Sequence, residues 1–351
     1  MDRSRLADNL TQLTGLPDPD FDCIRLRQDA SARAYYRVTL EPPAEPRSLV
    51  LMDLGPEAGR RPDEVTGGPE PDELPFVNVQ RYLAAGDLPV PRLYRHDEEA
   101  GLLLLEDFGD RTLEEAVPGA SRATRRELYD RAVAQLVQLQ QYTATGGNDD
   151  CIAFQRAFDR SLLRWELDHF REWILDERNV ALTSGERQIL DRDFDRLARQ
   201  LADMPRLFVH RDFQSRNLML LDSGERLGIL DFQDALLGPR PYDLVALLRD
   251  SYVVLTDEEV QRLIGLYETL AVEAGLGIEQ DRFEHEFALV TLQRKLKDSG
   301  RFVFIDREKR NGSFLRFVPD SLGYVSWALR RLPEYEALGA VLTARVEELV
   351  A

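Results

Sequence analysis

Four side chains in one short region have the types and spacing of a phosphoryl-transfer centre. In LFVHRDFQSRNLML, His210, Asp212 and Asn217 form H-x-D-x-x-x-x-N, and Asp231 follows 14 residues after Asn217 at the end of the apolar run LGILDF. Moving a phosphoryl group onto a hydroxyl needs a carboxylate that orients the hydroxyl and takes its proton, plus oxygen ligands that hold magnesium against the nucleotide phosphates. Mg2+ keeps several of its own waters, so one Asn and one Asp suffice from the protein. Asp212 fills the first role, which leaves His210 as a core histidine bracing the loop. Asp243 reads as a structural carboxylate at the head of a helix, a helix cap before a catalyst. Asp234 is either a second metal ligand or a loop carboxylate.

These groups need a rigid mount. FVH and LML bracket the loop and GIL precedes Asp231, so a short hairpin-like scaffold can hold Asp212, Asn217 and Asp231 on one side. Upstream, FDCIRLRQ (21 to 28), ARAYYRVTL (32 to 40) and RSLVLMDL (47 to 54) read as three strands of a meander, with Tyr35 and Tyr36 as packing residues. Residues 54–75 carry five Pro and four Gly in 22 residues, which predicts a long irregular loop. FVNVQRYLAAG (76 to 86) has helical spacing, and LPVPRLYRHD and GLLLLEDFG follow as two more strands. From about residue 112 the spacing is helical: 121–143, 149–177 and 183–203 each read as one amphipathic helix begun by Ser, Asp or Thr. Helical texture resumes after residue 240. The expectation is an α+β, bilobal chain: a sheet-rich N-lobe with one helix over 1–107 and a larger, mainly helical C-lobe over 108–351.

Composition narrows the class further. Arg plus Lys number 45 against 63 Asp plus Glu, a formal charge of −18, so a nucleic-acid partner is not expected. No window approaches 18 apolar residues, the start of the chain is polar and amphipathic, and a cytoplasmic protein without a membrane partner is expected. Cys23 and Cys151 stand apart with no Cys/His cluster, which reads as two buried thiols. Only Lys295, Lys297 and Lys309 are lysines.

At HRDFQSRN, DFQD and GPRPYDLVALL the chain resembles the aminoglycoside phosphotransferase and choline kinase branch of the protein-kinase-like fold. The resemblance makes Asp212 the catalytic base, Asn217 and Asp231 magnesium ligands, and Asp243 the carboxylate that ties its helix back to the catalytic loop. LEDFG (105 to 109) matches the hinge that receives adenine, which assigns Glu106 and Phe108 to nucleotide binding, with ATP and Mg2+ as cofactors. One departure stands out. Kinase-like folds carry a Lys in the third strand paired with a helix Glu, and here the aligned positions are about Met52 and Phe76. Losing both together leaves no orphan charge. DASARAYYRV sits where kinases have a glycine-rich loop, so Ser31 and Ala32 are assigned to phosphate contact and Arg33 to the missing Lys role, with an exposed surface Arg as the alternative.

ASARAYYRV, LVLMDLGPE, LRWELDHFREW and HRDFQSRN together resemble the anomeric sugar kinases of bacterial cell-wall recycling. That resemblance implies phosphorylation of N-acetylmuramate and N-acetylglucosamine on the C1 hydroxyl by a monomer with a small-molecule sugar substrate. Trp165, Glu166 and His169 are then candidate sugar contacts, although their spacing is also that of a core helix. Arg294 and Lys297 in LQRKLKDSGRF, and Arg211 and Arg216 beside the base, are candidate anion contacts, a solvated helix face being the alternative for the former. Competing readings are a phosphotransferase for aminoglycosides or another small-molecule hydroxyl, and a nucleotide-binding pseudokinase.

Overall fold

A computed structural model describes residues 3–26, 33–55, 73–145 and 150–349. Ser31, Ala32 and residues 56–72 of the Pro/Gly-rich segment lie outside them. The N-terminal part is helix α1 (Arg3–Thr14), strands β1 (Phe21–Arg25), β2 (Ala34–Leu40) and β3 (Ser48–Asp53), helix α2 (Pro75–Ala85), and strands β4 (Leu93–Asp97) and β5 (Leu102–Glu106). The five strands form one antiparallel sheet in the order β1-β2-β3-β5-β4, so the meander expected from the sequence is present.

Period-two alternation sorts this sheet into two faces. Leu49 and Leu51 of β3, Val38 and Leu40 of β2 and Leu102 and Leu104 of β5 pack on Leu6 and Leu10 of α1. The opposite face carries the paired row Tyr35, Met52 and Leu103 and the row Arg37, Val50 and Leu105, which look toward the rest of the chain. Met52, Leu103 and Leu105 belong to the large apolar core that runs through the helical part. α2 starts with Pro75 at a position where a missing N–H costs nothing, and ends at Gly86.

The helical part holds α3 (Leu113–Ala116), α4 (Arg122–Thr145), α5 (Arg160–Phe170), a π-helical turn over Arg171–Asp176, α6 (Ser184–Ala202), strands β6 (Arg206–Val209), β7 (Leu218–Leu221), β8 (Arg226–Ile229) and β9 (Leu236–Pro239), and helices α7 (Tyr242–Leu248), α8 (Asp257–Glu273), α9 (Gln280–Lys309), α10 (Val318–Leu329) and α11 (Glu336–Arg345). Thr183 and Glu186 form a capping box at the start of α6, as do Thr256 and Glu259 at α8.

The single helix read over 149–177 is corrected. Residues 152–155 make one 3-10 turn, and Phe158 N–H then donates to Leu237 O while Leu237 N–H donates to Arg156 O. Pairing with β9 holds this segment extended until Asp159 caps α5 by accepting from Leu162 N–H at 2.8 Å. Periodicity saw the apolar faces on both sides of the break and could not see a strand 80 residues away. The thiol reading is corrected in part: Cys151 is buried, but Cys23 is only half-buried in the edge strand β1, and both are free. Among the described residues no helix is long and apolar enough to cross a membrane.

Candidate active site

Two small antiparallel pairs carry the chemistry. β6 pairs with β9, and β7 forms a hairpin with β8 in which Leu218 opposes Ile229. The hairpin continues one step past its last rung, where Leu230 N–H donates to Asn217 O at 2.9 Å. Asn217 and Asp231 therefore emerge side by side at its open end, with the loop bearing Asp212 beside them. The sequence reading of one hairpin is thus refined to two pairs, because β9 supplies the partner of β6.

The loop is held by buried groups. His210 has no exposed surface; its Nε2 lies 2.9 Å from Leu230 O and its Nδ1 accepts from Asp212 N–H at 3.3 Å. A carbonyl cannot donate, so Nε2 carries the proton and the ring is neutral. Burial pushes the His210 pKa down to about 4, against the pull of Asp212. Asp243 accepts from His210 N–H at 2.7 Å and from Arg211 N–H at 3.1 Å. It caps no helix of its own, since α7 begins after Pro241 without a side-chain cap. Seven residues on, buried Asp250 accepts from Ser215 N–H at 2.9 Å and from the Ser215 hydroxyl. Two carboxylates, one in α7 and one two residues past its end, thus hold the loop at both ends. Between the clamps Arg211 adopts φ +76° and Asp231, farther on, φ +66°, conformations that cost a non-glycine residue free energy and persist where surroundings enforce them.

Asp231 is exposed and Asp212 partly so, with 40% of its side chain accessible, and Asp212 accepts from Arg294 Nη2 at 3.1 Å. Burial raises its pKa, but Lys297, Arg294 and Arg211 outweigh that and hold it well below the usual carboxylate range. Asp231 goes the other way. Crowding by the surrounding protein, then Asp212 and Asp234, push its pKa up to about 6, partly offset by Gln233 and Arg33. Its environment is short of positive charge, as a cation site is before the cation arrives. Asn217 Nδ2 donates to Asp212 O at 2.8 Å, so its amide oxygen faces away from that bond. Asn217 and Asp231 thus fit a magnesium ion that takes few protein ligands. Among the described residues no cluster of three or more His, Cys, Asp and Glu could hold a metal alone. Asp234 accepts from Gln233 Nε2 at 3.3 Å.

On the sheet side, Met52 is fully buried, Phe76 is buried, and the Phe76 ring lies 4.9 Å from that of Phe232. An apolar contact occupies the place of the strand–helix ion pair. Arg33 is half-buried and acts electrostatically on both Asp231 and Tyr35, and it hydrogen-bonds Tyr35. Tyr35, read from the sequence as packing, therefore also belongs to the edge of the site.

At the connection between the two parts, Asp107 takes a bidentate pair from Arg37, at 2.7 and 2.9 Å, and the Ser48 hydroxyl. Next to it Phe108 lies so close over Gly228 that a Cβ there would sit 2.5 Å from the ring. Glu106 accepts from Arg92 N–H at 3.1 Å.

The acceptor-side candidates divide. Arg294 is fully buried and reaches both Arg211 O, at 2.6 Å, and Asp212, so the reading of this stretch as a solvated helix face does not hold. Lys297 is half-buried one turn farther along α9. Glu166 has no exposed surface; it accepts from Arg211 at 3.3 Å and from Gln293 Nε2 at 2.6 Å. Trp165 is 36% exposed and stacks on His169 at 5.5 Å, which also meets Trp173 and Phe304. Arg216 pairs with Glu114 at 3.3 Å and lies 3.2 Å over the Tyr252 ring. Gly300 lets α9 approach α5: a Cβ there would be 2.9 Å from His169 O.

Sequence reasoning missed Asp250, Asp107 with Arg37, and Gln293. The Asp243/Asp250 spacing of two helical turns was visible in PYDLVALLRD, whereas the partner of Asp107 lies 70 residues away.

Residues 22–277 match the phosphotransferase enzyme family, APH. The N-acetylmuramate/N-acetylglucosamine kinase of Pseudomonas aeruginosa is 34% identical over 330 residues, covering 93% of this chain and 89% of that protein. The protein of the same name from Neisseria meningitidis serogroup B is 32% identical, covering 96% and 95%. Among solved structures, choline kinase from Cryptosporidium parvum Iowa II superposes with TM-score 0.66 at 11% identity, covering 96% of this chain and 98% of that one. The gentamicin complex of APH(2")-IIa gives 0.57 at 14%, covering 92% and 96%. The shared fold is the bilobal, protein-kinase-like one expected from the motifs.

Proposed function

The chain belongs to the phosphotransferase enzyme family, and from that premise we propose that it transfers the γ-phosphoryl group of ATP to the anomeric C1 hydroxyl of N-acetylmuramate and N-acetylglucosamine, giving the sugar 1-phosphate. The observation that carries the transfer chemistry is the grouping of Asn217 and Asp231 at one hairpin end with the partly exposed Asp212 in the adjoining loop. The relatives named above support the choice of amino sugars.

In this reading Asp212 accepts the hydrogen bond of the attacking hydroxyl. Its depressed pKa suits late proton transfer in a loose transition state, where orientation matters more than basicity. Asn217 and Asp231 would hold Mg2+, which would supply positive charge against the nucleotide phosphates. Arg33, Ser31 and Ala32 serve the phosphates in place of the strand Lys, and Glu106 and Phe108 border the adenine. Trp165, His169, Arg211, Arg216, Lys297 and, from behind, Glu166 and Arg294 form the acceptor side. Residues 1–107 act as the nucleotide lobe and 108–351 as the catalytic and acceptor lobe of a cytoplasmic monomer.

The test is to incubate the protein with ATP and Mg2+ and, separately, N-acetylmuramate, N-acetylglucosamine and kanamycin, following ADP release and the phosphorus NMR spectrum of the product. An acid-labile sugar 1-phosphate supports the proposal. ADP release with kanamycin alone moves the chain to the antibiotic-modifying branch.

A further inference from the structure

The cation that kinase-like folds place on the third strand has no counterpart there, because Met52 is sealed in an apolar contact region. Positive charge is instead concentrated on α9, in a chain with only three lysines, two of them at 295 and 297. Arg294, Lys295 and Lys297 share two carboxylates. Lys295 Nζ takes Asp298 at 2.8 Å, and Arg294 takes Asp212 at 3.1 Å and lies 3.9 Å from Asp298. Lys297 is left with Asp298 at 3.7 Å, an ion pair too long for a hydrogen bond. Asp212 and Glu166 also act on Lys297 electrostatically, so its ammonium is held protonated and close to the base without a short hydrogen bond of its own.

A second observation points to the same place. The Tyr242 hydroxyl is buried and has no hydrogen-bond partner, and Tyr242 and Lys297 act on each other electrostatically. Lys297 lies three residues from Arg294 on one face of α9, and Arg294 touches the base. Lys297 thus brings ammonium protons that make no short hydrogen bond near Asp212, with the unpaired Tyr242 hydroxyl close to Lys297.

We propose that Lys297 is a catalytic residue that receives the transferring phosphoryl group on the acceptor side of Asp212, with Tyr242 lining the same spot. This rests on the phosphotransferase reading and not on the identity of the sugar. In the step, the acceptor oxygen forms the new O–P bond while the bond from γ-phosphorus to the β,γ-bridging oxygen breaks, its electron pair leaving with ADP. The hydroxyl proton passes to Asp212 and from there to water. The Lys297 ammonium stays protonated throughout and follows the charge that moves with the phosphoryl oxygens.

Lys297→Met is compared with Lys297→Arg and Lys297→Ala on N-acetylglucosamine, which is neutral, and N-acetylmuramate, which is acidic. The expected result is a fall in kcat on the order of a hundredfold on both sugars. ATP affinity by calorimetry and the thermal midpoint should be unchanged, Lys297→Arg should retain a tenth or more of the rate, and ethylammonium should partly restore Lys297→Ala. A raised KM for N-acetylmuramate alone, with kcat on N-acetylglucosamine intact, overturns the proposal and makes Lys297 a reader of the acidic sugar. A lowered thermal midpoint with no ethylammonium rescue overturns it in favour of a structural role. If the wild type turns over neither sugar yet hydrolyses ATP with water as acceptor, the sugar reading has failed; the same variants compared on that hydrolysis still decide the role of Lys297.

Discussion

Asp243→Asn separates a carboxylate that holds the loop from one that does chemistry. In the native protein its two oxygens accept from His210 N–H at 2.7 Å and Arg211 N–H at 3.1 Å, with no solvent access. An asparagine keeps one acceptor and turns an NH2 group toward the other N–H. One charge-assisted hydrogen bond worth about 1.5–3 kcal/mol is lost, and a buried N–H is left unpaired at about 1–3 kcal/mol. Removing a buried charge returns part of this, so a net destabilisation of about 3 kcal/mol is expected. All three tryptophans, Trp165, Trp173 and Trp327, lie in the helical part, so a urea titration followed by their fluorescence reads the affected region. The midpoint should fall at unchanged slope, and kcat should fall with it because Arg211 loses one support of its φ of +76°. A loss under about 1 kcal/mol with full turnover would refute the clamp, since no typical value for a buried charged acceptor is that small.

Asp212→Asn should drop kcat by roughly 10²–10⁴ while ATP binding persists, and should also cost some stability because buried Arg294 loses its carboxylate partner; turnover near wild type would remove Asp212 from the role of base. His210 should stay neutral down to about pH 5, seen as imidazole NMR shifts that do not move between pH 7 and 5, and a midpoint above 6 would contradict the assigned tautomer. Because its folded pKa of about 4 lies below the ordinary 6.5, the unfolded chain takes up a proton that the folded one refuses. The His210 share of stability is therefore complete above pH 6.5 and is lost as pH falls toward 4, about 3 kcal/mol in all. Gly300→Ala should destabilise by about 1–3 kcal/mol through overpacking, because the new methyl meets the backbone of His169 and Phe170 at 2.9 Å; thermal unfolding measures it, and an unshifted midpoint would show that α5 and α9 can separate freely.

What the sequence made legible was local. His210, Asp212, Asn217 and Asp231 fall within 22 residues, and the strands that carry them are short apolar runs whose period is visible without a partner. The five-stranded sheet was readable for the same reason, its turns being marked by Pro, Glu and Asp. Illegible were the features decided by distant pairing: the extended segment before α5 that pairs with β9, the Arg37–Asp107 latch, and the burial of Arg294. A basic run on a helix reads as solvated because charged residues mostly are, and only the fold shows that this one lies against the loop bearing the base. Glu166 shows the same limit, its polar appearance in a helix concealing that its visible partners are Arg211 and Gln293.

The connection at Asp107 and Phe108 has a mechanical consequence. One residue is anchored to the sheet through Arg37 and Ser48, and the very next one bears on Gly228 of the β7–β8 hairpin. The seam does not end there: Ile229 N–H donates to Pro89 O at 2.8 Å, the Tyr142 hydroxyl donates to Tyr82 O at 3.1 Å, and Phe76 packs on Phe232. A displacement of the sheet therefore reaches the hairpin that carries Asn217 and Asp231 by several parallel routes, and cutting any one of them should leave the others carrying the load.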